Sequence, residues 1–144
     1  MIESILKAGK IDRLINATAA GTGDTLNGDI LDLQGFDSVL LISAVGDCAA
    51  TAVGTLKAYC GNAANLSDGA YKDTTATFTA SASDADNKLL VLDVVRPGKR
   101  YVRADFVRAT ANIPVDAVIA IRYNAAALPV SQGVDVVHSA LSVN

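Results

Sequence analysis

The hydrophobic residues of this chain gather into short runs of strand character, and three of those runs are apolar at every position. They are Val39-Leu40-Leu41-Ile42, Leu89-Leu90-Val91-Leu92 and Val118-Ile119-Ala120-Ile121, each flanked by turn residues. Side chains alternate across a strand, so a strand with one wet face alternates apolar and polar. A run that is apolar on both faces needs cover on both, and a small all-β domain supplies it on one. The missing cover is most simply another protein. The pattern therefore points to a subunit of an assembly.

Strand patterning continues along most of the chain. Strands are expected near 11–19, 26–33, 38–46, 53–60, 74–81, 88–96, 99–109, 115–124 and 134–143. Turn signals separate them: Gly21-Thr22-Gly23-Asp24, Asn27-Gly28-Asp29, Gly46-Asp47, Gly61-Asn62, Asp84-Ala85-Asp86-Asn87, Pro97-Gly98 and Asn112-Ile113-Pro114. Helical spacing occurs only at the start, where Ile2, Ile5 and Leu6 share a face ahead of Gly9. Residues 1–10 are thus a short helix or an arm. The whole, 1–144, reads as one all-β domain, an antiparallel β-sandwich of about eight to nine strands.

Two strand pairs predict hairpins: 38–46 with 53–60, and Lys88–Val95 with Lys99–Val107. The second closes around Arg96-Pro97-Gly98-Lys99, where Pro presets one corner and Gly accepts a positive φ at the next, as in a type II turn. On the returning strand Val102, Ala104 and Phe106 share one face, and Tyr101, Arg103 and Asp105 the other. On 115–123 the core face is read as Val115, Ala117, Ile119, Ile121 and Tyr123. That leaves Leu89, Val91, Val118 and Ala120 opposite the inferred core faces, as candidates for the extra apolar interface. Residues 61–73, rich in Gly, Asn, Ala, Ser and Asp, read as an exposed contact loop. The segment 134–143 has strand character and is expected to pair with the body or with a neighbour.

Composition narrows the function classes. The chain is 51% hydrophobic but only 5% aromatic, with no Trp, so its apolar share is aliphatic. Small and β-branched residues suit packed sheets better than aromatic-walled ligand pockets. A net charge of −3 argues against a general nucleic-acid binder. Five of the twelve basic residues nevertheless cluster: Arg96, Lys99, Arg100, Arg103 and Arg108. They read either as a solvated strand face or as a docking patch for an acidic protein surface. The first residues lack a basic region and a long apolar stretch, so no signal peptide is read, and no window approaches the ~20 apolar residues of a membrane span. Synthesis and folding in a cytoplasm are expected, with no role for a membrane or for direct nucleic-acid contact.

Candidate chemistry is sparse. His138 is the only histidine, so any serine or cysteine triad would have to use it, and no nucleophile elbow accompanies it. One His and two scattered Cys do not make a zinc site. Cys48 and Cys60 would lie at opposite ends of the expected 38–46/53–60 hairpin, about 20 Å apart, beyond the ~7 Å limit for a disulfide. Free thiols are expected. Asp24, Asn27, Asp29 and Asp32 suggest calcium but miss the EF-hand spacing and its closing Glu, and are ordinary turn residues. No cofactor, metal or catalytic residue is assigned, and the chain is read as a non-enzyme.

Several stretches together resemble the head decoration, or cement, proteins of tailed bacteriophages, most closely those of short-tailed phages. They are Ile11-Asp12-Arg13, Asn27-Gly28-Asp29-Ile30-Leu31-Asp32-Leu33 running into Gly35-Phe36-Asp37-Ser38-Val39, Asp93-Val94-Val95-Arg96-Pro97-Gly98-Lys99-Arg100-Tyr101-Val102-Arg103, Ala117 to Tyr123, and Pro129-Val130-Ser131. The resemblance implies a sandwich of jelly-roll type that forms a homodimer on the outer surface of an HK97-type icosahedral capsid. There it bridges neighbouring major capsid protein subunits and braces the virion against internal DNA pressure. On that reading Arg96, Lys99, Arg100 and Arg103 are the candidate capsid-docking residues. The alternatives are a host- or carbohydrate-binding module of a virion fibre, which needs exposed aromatic platforms, and a tail or head-completion protein, which forms rings.

Overall fold

The computed structural model describes residues 4–143. A four-residue helix α1 (Ile5–Ala8) precedes ten strands: β1 (Lys10–Ile15), β2 (Thr18–Gly21), β3 (Asp24–Asp32), β4 (Phe36–Val45), β5 (Val53–Gly61), β6 (Ala70–Tyr71), β7 (Ala76–Thr79), β8 (Leu89–Val94), β9 (Tyr101–Ala109) and β10 (Ile113–Ala125). Ile5 and Leu6 of the expected helical face lie in α1, while Ile2 lies outside the described residues.

One sheet runs β1-β10-β4-β8, with β2 also pairing to β10; the other runs β3-β9-β5-β6, with β7 also pairing to β5. Every pairing is antiparallel. The first strand lies beside the last, and most connections cross from one sheet to the other. This is the jelly-roll arrangement of two interlocked four-strand sets.

That crossing overturns both expected hairpins. β4 and β5 lie in opposite sheets, as do β8 and β9. Gly98 takes the positive φ expected of it, 71°, but the turn carries the chain over the rim of the sandwich instead of folding it back. The partners are β4 for β8, and β3 and β5 for β9. The expected strand at 134–143 is also absent: this segment runs without regular structure along the margin of the first sheet.

A β-bulge overturns the face assignment on β10. Val115 pairs with Val45 and Ala117 with Ala44, so β10 spends one extra residue, Asp116, against β4. A one-residue slip exchanges the two faces of every position beyond it. Val118 and Ala120, expected as apolar interface, are therefore core residues with no exposed surface. Ile119, Ile121 and Tyr123, expected in the core, face outward and are half-buried.

The core fills the space between the sheets with Leu41, Val39, Ile113, Val115 and Val118 from one side and Leu56, Val102, Ala104 and Phe106 from the other, all 1% exposed or less. Two arginines staple the sheets near opposite ends of β10. Arg108 of β9 pairs with Asp24 through two bonds of 2.6 and 2.7 Å and donates to the carbonyls of Ala19 on β2 and Ile113 on β10. Arg122 of β10 pairs with Asp12 of β1 at 2.9 Å and donates to the Asp32 carbonyl of β3 at 2.8 Å.

Candidate protein-binding face

The outer faces of the two sheets differ in kind. On the β3-β9-β5 sheet the outward face mixes a bonded polar cluster with a few apolar side chains, of which Ile30 is 40% exposed. Arg103 forms a bidentate pair with Asp105, at 2.7 and 2.8 Å, and Asp105 also accepts from the Tyr71 hydroxyl at 2.7 Å. That last bond pushes the Tyr71 phenol above its ordinary pKa, because ionisation would set two anions side by side. The loop 61–73 lies over this face, bringing Tyr71 onto Asp105, which has no exposed surface. Asp68 holds the loop by accepting from the Asn62 and Ala63 amides. Gly69 is required there, since a Cβ would collide with the Tyr59 ring.

On the β1-β10-β4-β8 sheet the outward side chains are mostly aliphatic and lie in register, with Arg13 and Asp93 at the margins. One rung reads Ile11, Ile121, Leu40, Asp93; the next reads Arg13, Ile119, Ile42, Val91; the third reads Ala117, Ala44, Leu89. Leu89 and Val91 are 64% and 47% exposed. Ile119 and Ile121 take the places that Val118 and Ala120 were expected to hold. Beside these rungs a groove of about 570 Å³ is bounded by Ile5, Leu40, Ile121, Tyr123 and Leu128. The stretch from α1 to Gly9 approaches Ile121 at one end of the rungs, and Ile5 and Leu128 border the groove there.

The four candidate docking cations do not form one patch. Arg103 is committed to Asp105. Arg96, Lys99 and Arg100 line a shallow groove with Phe36 and Gly35 at one end of the sandwich. Arg100 is clamped by Asp32 at 2.9 Å and by Gln34 at 2.6 Å, and its bond to Asp32 holds that carboxyl below its ordinary value. Arg96 lies 3.5 Å from Asp37, with both side chains exposed. Lys99 forms no salt bridge among the described residues. Arg108, the fifth member of the sequence cluster, is 5% exposed and faces inward.

Exposed aromatic platforms are scarce. The Tyr59 ring carries Arg103 at 4.8 Å, Tyr71 carries Lys57 at 4.1 Å, Tyr101 carries Arg100 at 5.2 Å and Phe36 carries Arg122 at 5.3 Å. Phe106 is in the core. A sugar ring has few free π-faces on which to stack.

Cys48 and Cys60 are buried free thiols, and burial raises the pKa of each, so little reactive thiolate forms. His138 lies exposed in the C-terminal segment. Of the suggested calcium residues, Asp24 is engaged by Arg108 and Asp32 by Arg100. Among the described residues no group of three or more His, Cys, Asp or Glu converges to hold a metal.

No protein-family model matches this chain, and no curated protein does. The site is therefore read from its geometry: one sheet face centred on a bonded polar cluster and one left mostly aliphatic.

Proposed function

We propose that this protein is a structural subunit that buries the outer face of β1-β10-β4-β8 against a second copy of itself and docks, as that dimer, on the outside of a phage head. The observation that carries the reading is the in-register aliphatic surface of Leu40, Ile42, Leu89, Val91, Ile119 and Ile121, set against an opposite outer face whose centre is the bonded cluster of Tyr71, Arg103 and Asp105. Contiguous exposed apolar surface on an otherwise well-finished domain marks an association site. The phage part of the reading is supported by the sequence resemblance to cement proteins, and the jelly-roll fold is compatible with it.

The mechanism is mass action. A subunit that binds the closed lattice and not free capsid protein stabilises the lattice by its binding free energy. A two-fold dimer presents two identical docking surfaces and so gains avidity across a capsomer boundary. Arg96 and Lys99, the least engaged cations, are the side chains placed to steer docking onto an acidic shell.

The test has two arms. Sedimentation of the purified protein should give a dimer, and Ile119→Asp a folded monomer. Cryo-electron microscopy of phage heads lacking decoration, incubated with the protein, should show added density at capsomer boundaries. A dimer that leaves the heads bare removes the capsid assignment and keeps the apolar interface.

A further inference from the structure

The C-terminal segment guards one sheet margin and continues past it without hydrogen bonds among the described residues, with His138–Leu141 bordering a groove shared with Leu6, Lys7 and Val130. β1 is the outer strand of its sheet, and two of its edge amides are taken by side chains instead of by another strand. The Gln132 side-chain oxygen accepts from the Ile11 amide at 2.9 Å, and Asp135 accepts from the Arg13 amide at 2.9 Å. The Gln132 amide also donates to the carbonyls of Leu6 and Gly9, at 2.9 and 2.8 Å, while the Val130 amide donates to Lys7 at 2.7 Å. Residues 130–135 are thereby moored to the β1 margin. From Val137 to Val143 no hydrogen bond is formed among the described residues. Val137 is fully exposed, and Leu141 and Val143 are 50% and 57% exposed. Positions 137, 139, 141 and 143 share one side of an extended chain, and three of them are aliphatic.

At the opposite margin β8 has a single neighbour, β4. Its other edge makes no backbone hydrogen bond to a further element among the described residues. Two small grooves, of about 180 and 190 Å³, flank that edge, the first lined by Phe78, Leu89 and Leu90 and the second by Leu92, Val94 and Val95. An open edge with alternating side-chain pockets is what strand addition requires.

We infer that residues 137–143 form an arm that adds as a short strand to the free β8 edge of a second copy of this chain. The inference rests on the face-to-face pairing proposed above. The two-fold axis is taken parallel to the strands; that axis reverses strand order between the paired sheets and sets the β1 margin of one copy over the β8 margin of the other, whereas an axis across the strands would set β1 over β1. Packed sheets are about 10 Å apart, whereas seven extended residues reach about 24 Å. Three residues cross the gap and about four remain to pair, the length of β7 in this fold. Two-fold symmetry makes the exchange reciprocal, with two arms per dimer.

The test is a chain ending at Val136, which keeps Gln132 and Asp135 and loses only the arm. Its thermal midpoint at monomer concentrations should match the full chain, while its dimer dissociation constant, by analytical ultracentrifugation, should rise by roughly tenfold or more. Amides of Leu89–Val94 should lose hydrogen-exchange protection in the shortened dimer. Unchanged affinity with unchanged protection at β8 overturns the arm. If Ile119→Asp abolishes the dimer in that case, the face-to-face reading survives alone. A full-length chain that stays monomeric at high concentration overturns both.

Discussion

Ser43 on β4 has no exposed surface, and its hydroxyl is the one buried side-chain polar atom without a partner among the described residues. An unsatisfied buried hydroxyl costs more than its absence. Ser43→Ala should therefore raise stability in urea by about 1 kcal/mol; a loss would mean that the hydroxyl finds a partner. Arg108 is the opposite case. Arg108→Met strips the Ala19 and Ile113 carbonyls and Asp24 of their donor and should cost about 1.5–3 kcal/mol by the same measurement. Asp24 also sets a pH dependence. Its hydrogen bond to Arg108 holds its carboxyl below the ordinary value in the fold. A lowered folded-state pKa gives stability that is present above about pH 4 and lost as acid protonates the group through its lowered value. The stability gap between the native chain and Asp24→Asn should close on acidification from about pH 5 to below pH 3, in denaturant titrations at each pH. The stapling roles of Arg108 and Arg122 were not legible in the sequence. A charged residue at an inward strand position looks the same as one at an outward position until the partner strands are known.

At the level of strands, the positions of β1, β3, β4, β5, β7, β8, β9 and β10 were legible from apolar runs, alternation and turn residues, whereas their pairing was not. Adjacent strands that look like hairpins can instead cross the sandwich, because a Pro-Gly turn sets the corner and not the partner. The bulge at Asp116 was also silent, since a residue that slips out of register needs no special side chain. Its effect is testable by two neighbouring substitutions. Val118→Asp places a charge in the core and should cost about 4 kcal/mol or more. Ile119→Asp places one on the outer face and should leave the monomer's melting curve nearly intact while dissociating dimers in ultracentrifugation. The reverse pattern would put the face boundary where unbroken alternation from Val115 places it.

Across the whole molecule, the double-faced apolar runs were the most informative signal, and they correspond to a sheet aliphatic on both sides. The basic cluster was less informative, because Arg103 and Arg108 are consumed by Asp105 and Asp24. What remains for docking is local and exposed, and exposed charges act mainly on encounter rate and salt response. Lys99→Glu should slow association with undecorated heads and flatten its ionic-strength dependence, without altering the melting curve; stopped-flow light scattering measures both. The adjacency of β1 and β10 has a further bearing, on folding. The central strand of the aliphatic sheet is the last of the described strands in the chain, and its neighbours β1, β2 and β4 are all synthesised ahead of it. Until residues 113–125 leave the ribosome the β1 and β4 edges have nothing between them, so this sheet can close only after that strand is made, and at the slow pace set by distant pairing.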